Sequence, residues 1–131
     1  MNEHPTRRTG QRIAAAIATL FGIVTLFAGS RVLLGFDPGY VVFRPLLLYN
    51  TAMGIAYLTT GVLIWRRLAW GRFGAGAIFF LNLVVLAGII AVFRSGGAVA
   101  VESLRAMSFR TIVWLALYLA TTRLDRRRAP A

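Results

Sequence analysis

The sequence contains no cysteine and no lysine, and it has only four acidic residues. The absence of cysteine excludes disulfides, thiol redox chemistry, thiolate metal sites and iron–sulfur clusters. The single histidine, His4, lies in a polar N-terminal segment, so no apolar segment offers a histidine to haem or to a metal. Met53 and Met107 are the remaining soft ligands, and methionine more commonly serves in packing. We therefore expect no metal and no cofactor.

Apolar residues dominate instead. Of the 131 residues, 58% are hydrophobic and 15% are charged, and the mean hydropathy is +0.70. Soluble domains have about 45–50% apolar and about 25% charged residues. The apolar residues form four blocks between arginines, at 13–30, 45–65, 73–93 and 111–122. Blocks of this kind predict an all-α integral membrane four-helix bundle in one domain, 1–131. Its predicted spans lie at about 12–34, 43–65, 71–94 and 103–122, with short basic tails at both ends.

All fifteen basic residues are arginine, and the formal net charge is +11. Because the arginines flank apolar blocks rather than share one solvated face, they predict contact with the lipid bilayer and its anionic lipids, and no nucleic acid. With the N-terminus inside, ten arginines lie on the cytoplasmic side and five on the other. The positive-inside rule then places both termini in the cytoplasm. We expect a multi-pass protein of the bacterial inner membrane.

The first apolar block has a second interpretation. Arg7 and Arg8 precede it, and Ala28, Gly29 and Ser30 at its end are small enough for cleavage, as in an export signal. The block is nevertheless 18 residues long, whereas the apolar region of a signal peptide has about 7–15. We interpret the block as a retained span and keep the cleaved signal as the alternative.

The two halves of the chain resemble each other. The residues Phe-Arg-Pro-Leu-Leu at 43–47 open the second predicted span, and Phe-Arg-Thr-Ile-Val at 109–113 open the main part of the fourth. This pattern suggests two repeated helical hairpins, related by an axis along the membrane normal.

The fourth span is the unusual one. Its block of twelve residues rises only about 18 Å, against roughly 30 Å of hydrocarbon, so the span begins near Ser103. Arg105 and Arg110 then lie within the membrane thickness, where a charge is costly unless it is paired or faces water. In one account, Arg110 extends outward and Glu102 pairs with Arg105 at helical spacing. In the other, these three residues and Arg44 converge on an outer cavity for an anionic headgroup, a carboxylate or a quinone carbonyl.

Polar and aromatic side chains also recur inside the predicted spans. Lipid cannot satisfy an amide or a phenol, so we expect these groups to face the bundle interior and expect Asn82 to hydrogen-bond Tyr57. The residues that join the charged cluster as candidate ligand contacts are Asn50, Tyr57, Asn82, Trp114 and Tyr118. No nucleophile–base pair and no carboxylate in the middle of a span is present, so we predict no catalytic residue.

Two segments carry a resemblance. With FRPLLLYNTAMG at 43–54 and ESLRAMSFRT at 102–111, the chain resembles small bacterial four-span inner-membrane proteins of unknown function, over most of 12–123. This resemblance implies no activity. Small multidrug exporters have a similar size but need a carboxylate in the first span, and the quinone-reducing vitamin K family needs cysteines. Neither feature is present in this sequence.

Two functions follow as expectations. The first is a non-enzymatic accessory or assembly subunit of a larger membrane complex, with a membrane-protein partner or a second copy of the chain. The alternative is a small binding or transport protein for an anionic, lipid-like or quinone-like ligand. Its candidate site comprises Arg44, Glu102, Arg105 and Arg110 with the polar residues above.

Overall fold

Four α-helices make up the protein. The computed structural model describes the backbone of residues 5–128 and the side chains of residues 8–126, and no strand occurs in that part of the chain. His4 lies outside the described residues. The prediction of an all-α four-helix protein is confirmed. The helices are α1 (Pro5–Leu33), α2 (Arg44–Arg66), α3 (Leu68–Arg94) and α4 (Val101–Arg128).

Three of the helices, α1, α2 and α3, are long and apolar enough to cross a membrane, and the protein is accordingly membrane-embedded. α4 has 28 residues but carries arginines along its length, and it is not in this group. Much of the outer surface is apolar, since Phe27, Phe80 and Ile112 are 63%, 63% and 65% exposed. Lipid is a suitable solvent for such a surface, because every backbone polar group within a helix is already hydrogen-bonded.

Glycines bring α1 and α2 close together. A Cβ atom at Gly22 would lie 2.6 Å from the backbone nitrogen of Leu58 and 2.9 Å from the carbonyl oxygen of Gly54. A Cβ atom at Gly61 would likewise collide with Thr19. Small residues let two backbones approach, which maximises van der Waals contact where lipid leaves no hydrophobic force between helices.

The bundle consists of two helical hairpins. α1 packs most closely on α2, and α3 packs most closely on α4, while α2 and α3 join the hairpins. α1 and α4, the first and last helices, pack least closely of the four neighbouring pairs. We call the line along which α1 and α4 meet the seam.

The terminal end of the bundle is the end at which α1 begins and α4 ends. Only Arg67 separates α2 from α3 there. The Gln11 side-chain amide on α1 donates to the Ile64 carbonyl oxygen of α2 at 2.8 Å. The Arg72 guanidinium on α3 pairs with the Asp125 carboxylate of α4 at 3.5 Å. Polar side chains thus link α1 to α2 and α3 to α4 at this end.

The Phe-Arg pairs that recur in the two halves lie at different distances from the starts of their helices. Arg44 is the first residue of α2, whereas Arg110 follows Val101, the first residue of α4, by nine positions. At the helical rise, nine residues correspond to about 14 Å. The two hairpins therefore differ at the point where their sequences are most alike.

Candidate functional site

A hydrogen-bonded group of three side chains lies inside the bundle. Asn82 on α3 is fully buried, and its Oδ1 accepts a hydrogen bond from the Tyr49 hydroxyl at 2.8 Å. Its Nδ2 donates to the hydroxyl of the fully buried Tyr57 at 3.3 Å, so the expected contact between Asn82 and Tyr57 is present. Tyr49 was not among the candidates predicted from the sequence. Its position eight residues before Tyr57, which gives both the same side of α2, is the signal that indicates it.

Aromatic rings continue this interior group toward α1 and α4. The rings of Tyr57 and Trp114 stack with centroids 4.9 Å apart, and the Phe21 ring meets Tyr57 edge-on at 5.5 Å. Phe21 also stacks with Phe109, at 6.1 Å. Trp114 is fully buried, and its indole nitrogen has no hydrogen-bond partner among the described residues. Phe21 and Phe109 therefore separate the polar interior from the seam.

Arg110 lies in a groove on the seam. The groove has a volume of about 340 Å³ and opens between α1 and α4. Its lining residues, apolar except for Thr25 and Arg110, are Ile17, Leu20, Phe21, Val24, Thr25, Ala106, Phe109 and Arg110. The Arg110 Nε is buried and has no hydrogen-bond partner in the described part of the chain. We call this feature the Arg110 groove.

No carboxylate neutralises Arg110 among the described side chains. Glu102 is exposed and forms an ion pair neither with Arg110 nor with Arg105, so the pairing expected from helical spacing is absent from residues 8–126. Solvent at the start of α4 weakens such a pair, because exposed charges interact through a high dielectric. Asp125 is far along α4 and pairs with Arg72. The half-buried Arg110 side chain therefore has no counter-ion among the described side chains.

Only one of the four charged candidates lines the Arg110 groove. Arg44, Glu102 and Arg105 are exposed and do not line the Arg110 groove, whereas Arg110 does. Arg105 and Arg110 are five residues apart, which turns them by about 140° around the helix at 3.6 residues per turn. Helical geometry therefore places their side chains on different faces of α4.

The remaining polar candidates lie at separate positions. Asn50 is half-buried, and its Oδ1 has no hydrogen-bond partner among the described side chains. Tyr118 packs on α3, where a Cβ atom at Gly76 would lie 2.9 Å from its Cε1. Tyr118 also lines a second opening on the seam, of about 1300 Å³, which we call the terminal groove. The Thr122 hydroxyl in this groove is buried without a partner in the described part of the chain.

Comparison of the chain with protein-family models, with curated proteins and with solved structures gives no match. Within residues 8–126, no group of three histidine, aspartate or glutamate side chains is placed to hold a metal ion. The two grooves and Arg110 are therefore the features that can indicate a function.

Proposed function

We propose that this membrane protein binds an amphipathic molecule with an anionic head, such as a phospholipid or a fatty acid, in the Arg110 groove. The observation that carries the proposal is the buried, unpartnered Nε of Arg110 in an otherwise largely apolar groove. A cation at this depth is costly without a counter-ion. A carboxylate or phosphate on the ligand offsets that cost through charge-assisted hydrogen bonds.

The rest of the groove suits the hydrocarbon part of such a ligand. Leu20 and Phe109 line the groove and are 62% and 61% exposed, so the opening faces the surrounding lipid. Because α1 and α4 pack loosely, a molecule dissolved in the bilayer enters sideways and keeps its chain in an apolar environment.

The arginines support an orientation for this site. Ten arginines flank the spans at the terminal end and its tails, against five on the other side, which favours both termini in the cytoplasm of a bacterial cell. Arg110 precedes the midpoint of α4 and therefore belongs to the half of the bundle away from the terminal end. In this orientation, the Arg110 groove opens toward the periplasmic leaflet of the inner membrane.

The test is native mass spectrometry of the tagged protein, extracted from its own membranes in a mild detergent. Arg110→Gln removes the charge and keeps a shorter, polar side chain. We expect its affinity for anionic lipid to fall by at least about tenfold, the equivalent of one charge-assisted hydrogen bond. Arg94→Gln is the matched control, because Arg94 is exposed at the last residue of α3. Equal lipid retention by the wild type and Arg110→Gln contradicts the proposal.

An accessory subunit of a larger membrane complex is the second candidate function. In the apolar segment of α3 that is long enough to cross a membrane, only 17% of the residues are buried, against 28% in α1 and 33% in α2. Phe80 and Val84 on α3 are 63% and 52% exposed, so a wide apolar face is open to a partner helix. In the same mass spectrum, stoichiometric foreign subunits support this function, and a bare chain that carries lipid supports the first.

A further inference from the structure

We infer that the seam conducts the anionic headgroup of a phospholipid from one leaflet to the other while the acyl chains remain in the bilayer. This inference rests on the proposed function of the Arg110 groove and extends it from binding to translocation. The structural basis is the arrangement of two open grooves along the same pair of helices.

The two grooves lie end to end. The terminal groove extends along α1 from Gly10 to Ile17, and the Arg110 groove extends from Ile17 to Thr25. Ile17 lines both grooves. Fifteen residues from Gly10 to Thr25 rise about 23 Å, which is most of a hydrocarbon core of roughly 30 Å. The open part of the seam therefore covers most of the membrane thickness.

Polar groups with unused hydrogen-bonding capacity occur at intervals along this path. At one end is the unpartnered Arg110 Nε, and in the terminal groove is the unpartnered Thr122 hydroxyl. Tyr118 lines the terminal groove one helical turn from Thr122. Arg123 and Arg126 line its end and have no ion-pair partner among the described side chains. Cations at both ends complement a phosphate that carries a negative charge.

These features lower the barrier to headgroup transfer by ordinary electrostatics. A charged headgroup that crosses bare hydrocarbon loses its water without compensation. Along the seam, arginine and hydroxyl donors replace part of that water, and the lateral opening lets the chains stay in lipid. Such transfer is passive, runs down the concentration gradient and needs no energy source. It favours anionic over zwitterionic lipids, because the charged residues that line the grooves are arginines.

The test uses the purified full-length protein in vesicles of phosphatidylcholine and phosphatidylglycerol with a trace of phosphatidylglycerol that is dye-labelled on its acyl chain. Added dithionite bleaches the dye in the outer leaflet, and in protein-free vesicles the dye in the inner leaflet stays protected. We expect the wild-type protein to remove this protection. Dye-labelled phosphatidylcholine is expected to exchange more slowly.

Two matched variants assign the exchange to the seam. Ala116 is exposed and lines the terminal groove but not the Arg110 groove, so the indole of Ala116→Trp obstructs one half of the path. We expect this variant to slow exchange by at least about tenfold, which corresponds to a barrier increase of about 1.4 kcal/mol. Ala77 is exposed on α3 and lines neither groove, so Ala77→Trp is expected to exchange lipid at the wild-type rate.

Native mass spectrometry of the same preparations separates the two proposals. Retained anionic lipid with slow exchange in Ala116→Trp supports both binding at Arg110 and transfer along the seam. A wild-type protein that retains lipid but exchanges it no faster than protein-free vesicles overturns the translocation inference alone. A protein that neither retains nor exchanges anionic lipid overturns both. Equal slowing by the two tryptophan variants overturns the assignment of the path to the seam.

Discussion

Replacement of Arg110 by leucine is expected to raise the free energy of unfolding of the ligand-free protein, although it removes the proposed ligand contact. The Arg110 Nε is buried without a hydrogen-bond partner among the described residues. A buried donor without a partner costs about 1–3 kcal/mol. The leucine side chain removes that donor and adds apolar contact with Leu20 and Phe109 of the groove. The expected gain is therefore about 1–3 kcal/mol.

The assay is unfolding by dodecyl sulfate in dodecyl maltoside micelles, followed by tryptophan emission. Trp114 is fully buried, whereas Trp65 and Trp70 are 55% and 60% exposed, so Trp114 dominates the emission change. Arg72→Leu is the matched control, because it leaves Asp125 without its partner at 3.5 Å. The Arg72 and Asp125 side chains are 35% and 20% exposed, so we expect Arg72→Leu to lower the free energy of unfolding by less than about 1 kcal/mol.

The sign of the change decides between two roles of Arg110. A gain in stability with loss of lipid binding is typical of a residue kept for function at the expense of stability. An unchanged or lowered free energy of unfolding in Arg110→Leu refutes the prediction. In that case the Arg110 side chain stabilises the bundle itself.

Two further predictions concern packing and hydrogen bonding. Tyr49→Phe removes the 2.8 Å hydrogen bond to Asn82. We expect it to lower the free energy of unfolding in the same assay by about 0.6 kcal/mol, the average for such bonds between membrane helices. An unchanged free energy of unfolding would show that the bond contributes nothing to stability. Gly22→Ala places a Cβ atom 2.6 Å from a backbone nitrogen of α2 and is expected to cost about 1–3 kcal/mol. In Gly88→Ala the new Cβ atom meets nothing within 4 Å, so this control is expected to be neutral or to stabilise the helix by up to about 1 kcal/mol.

The apolar blocks were sufficient to predict the helices, and their ends differ for local reasons. α2 ends at Arg66, one residue beyond the predicted span, and α3 ends at the predicted Arg94. α3 begins at Leu68, before the predicted start at 71, because a single residue makes the turn from α2. α4 continues to Arg128, past the predicted end at 122. The residues after the apolar block are mostly arginines, and arginine is a good helix former.

The candidate site was less predictable than the helices. Depth alone indicated that Asn82 meets Tyr57, because two polar groups in the middle of their spans need a partner. The five-residue spacing alone indicates that Arg105 and Arg110 lie on different faces of α4. The predicted charged cluster did not take this spacing into account. The contribution of α1 could not be predicted. α1 carries apolar residues on every face, so its sequence has no single apolar face that would indicate the contact of Phe21 with Trp114 of α4.

The seam also determines when, during synthesis, the binding site comes into existence. α1 and α2 can pair through their glycine contacts once both have entered the membrane, whereas the seam needs α4, the last helix. Contacts between residues distant in sequence form late. The newly inserted first hairpin therefore presents its seam face to bilayer lipid until the second hairpin docks. The lipid composition of the membrane during insertion thus selects the first molecule that occupies the seam.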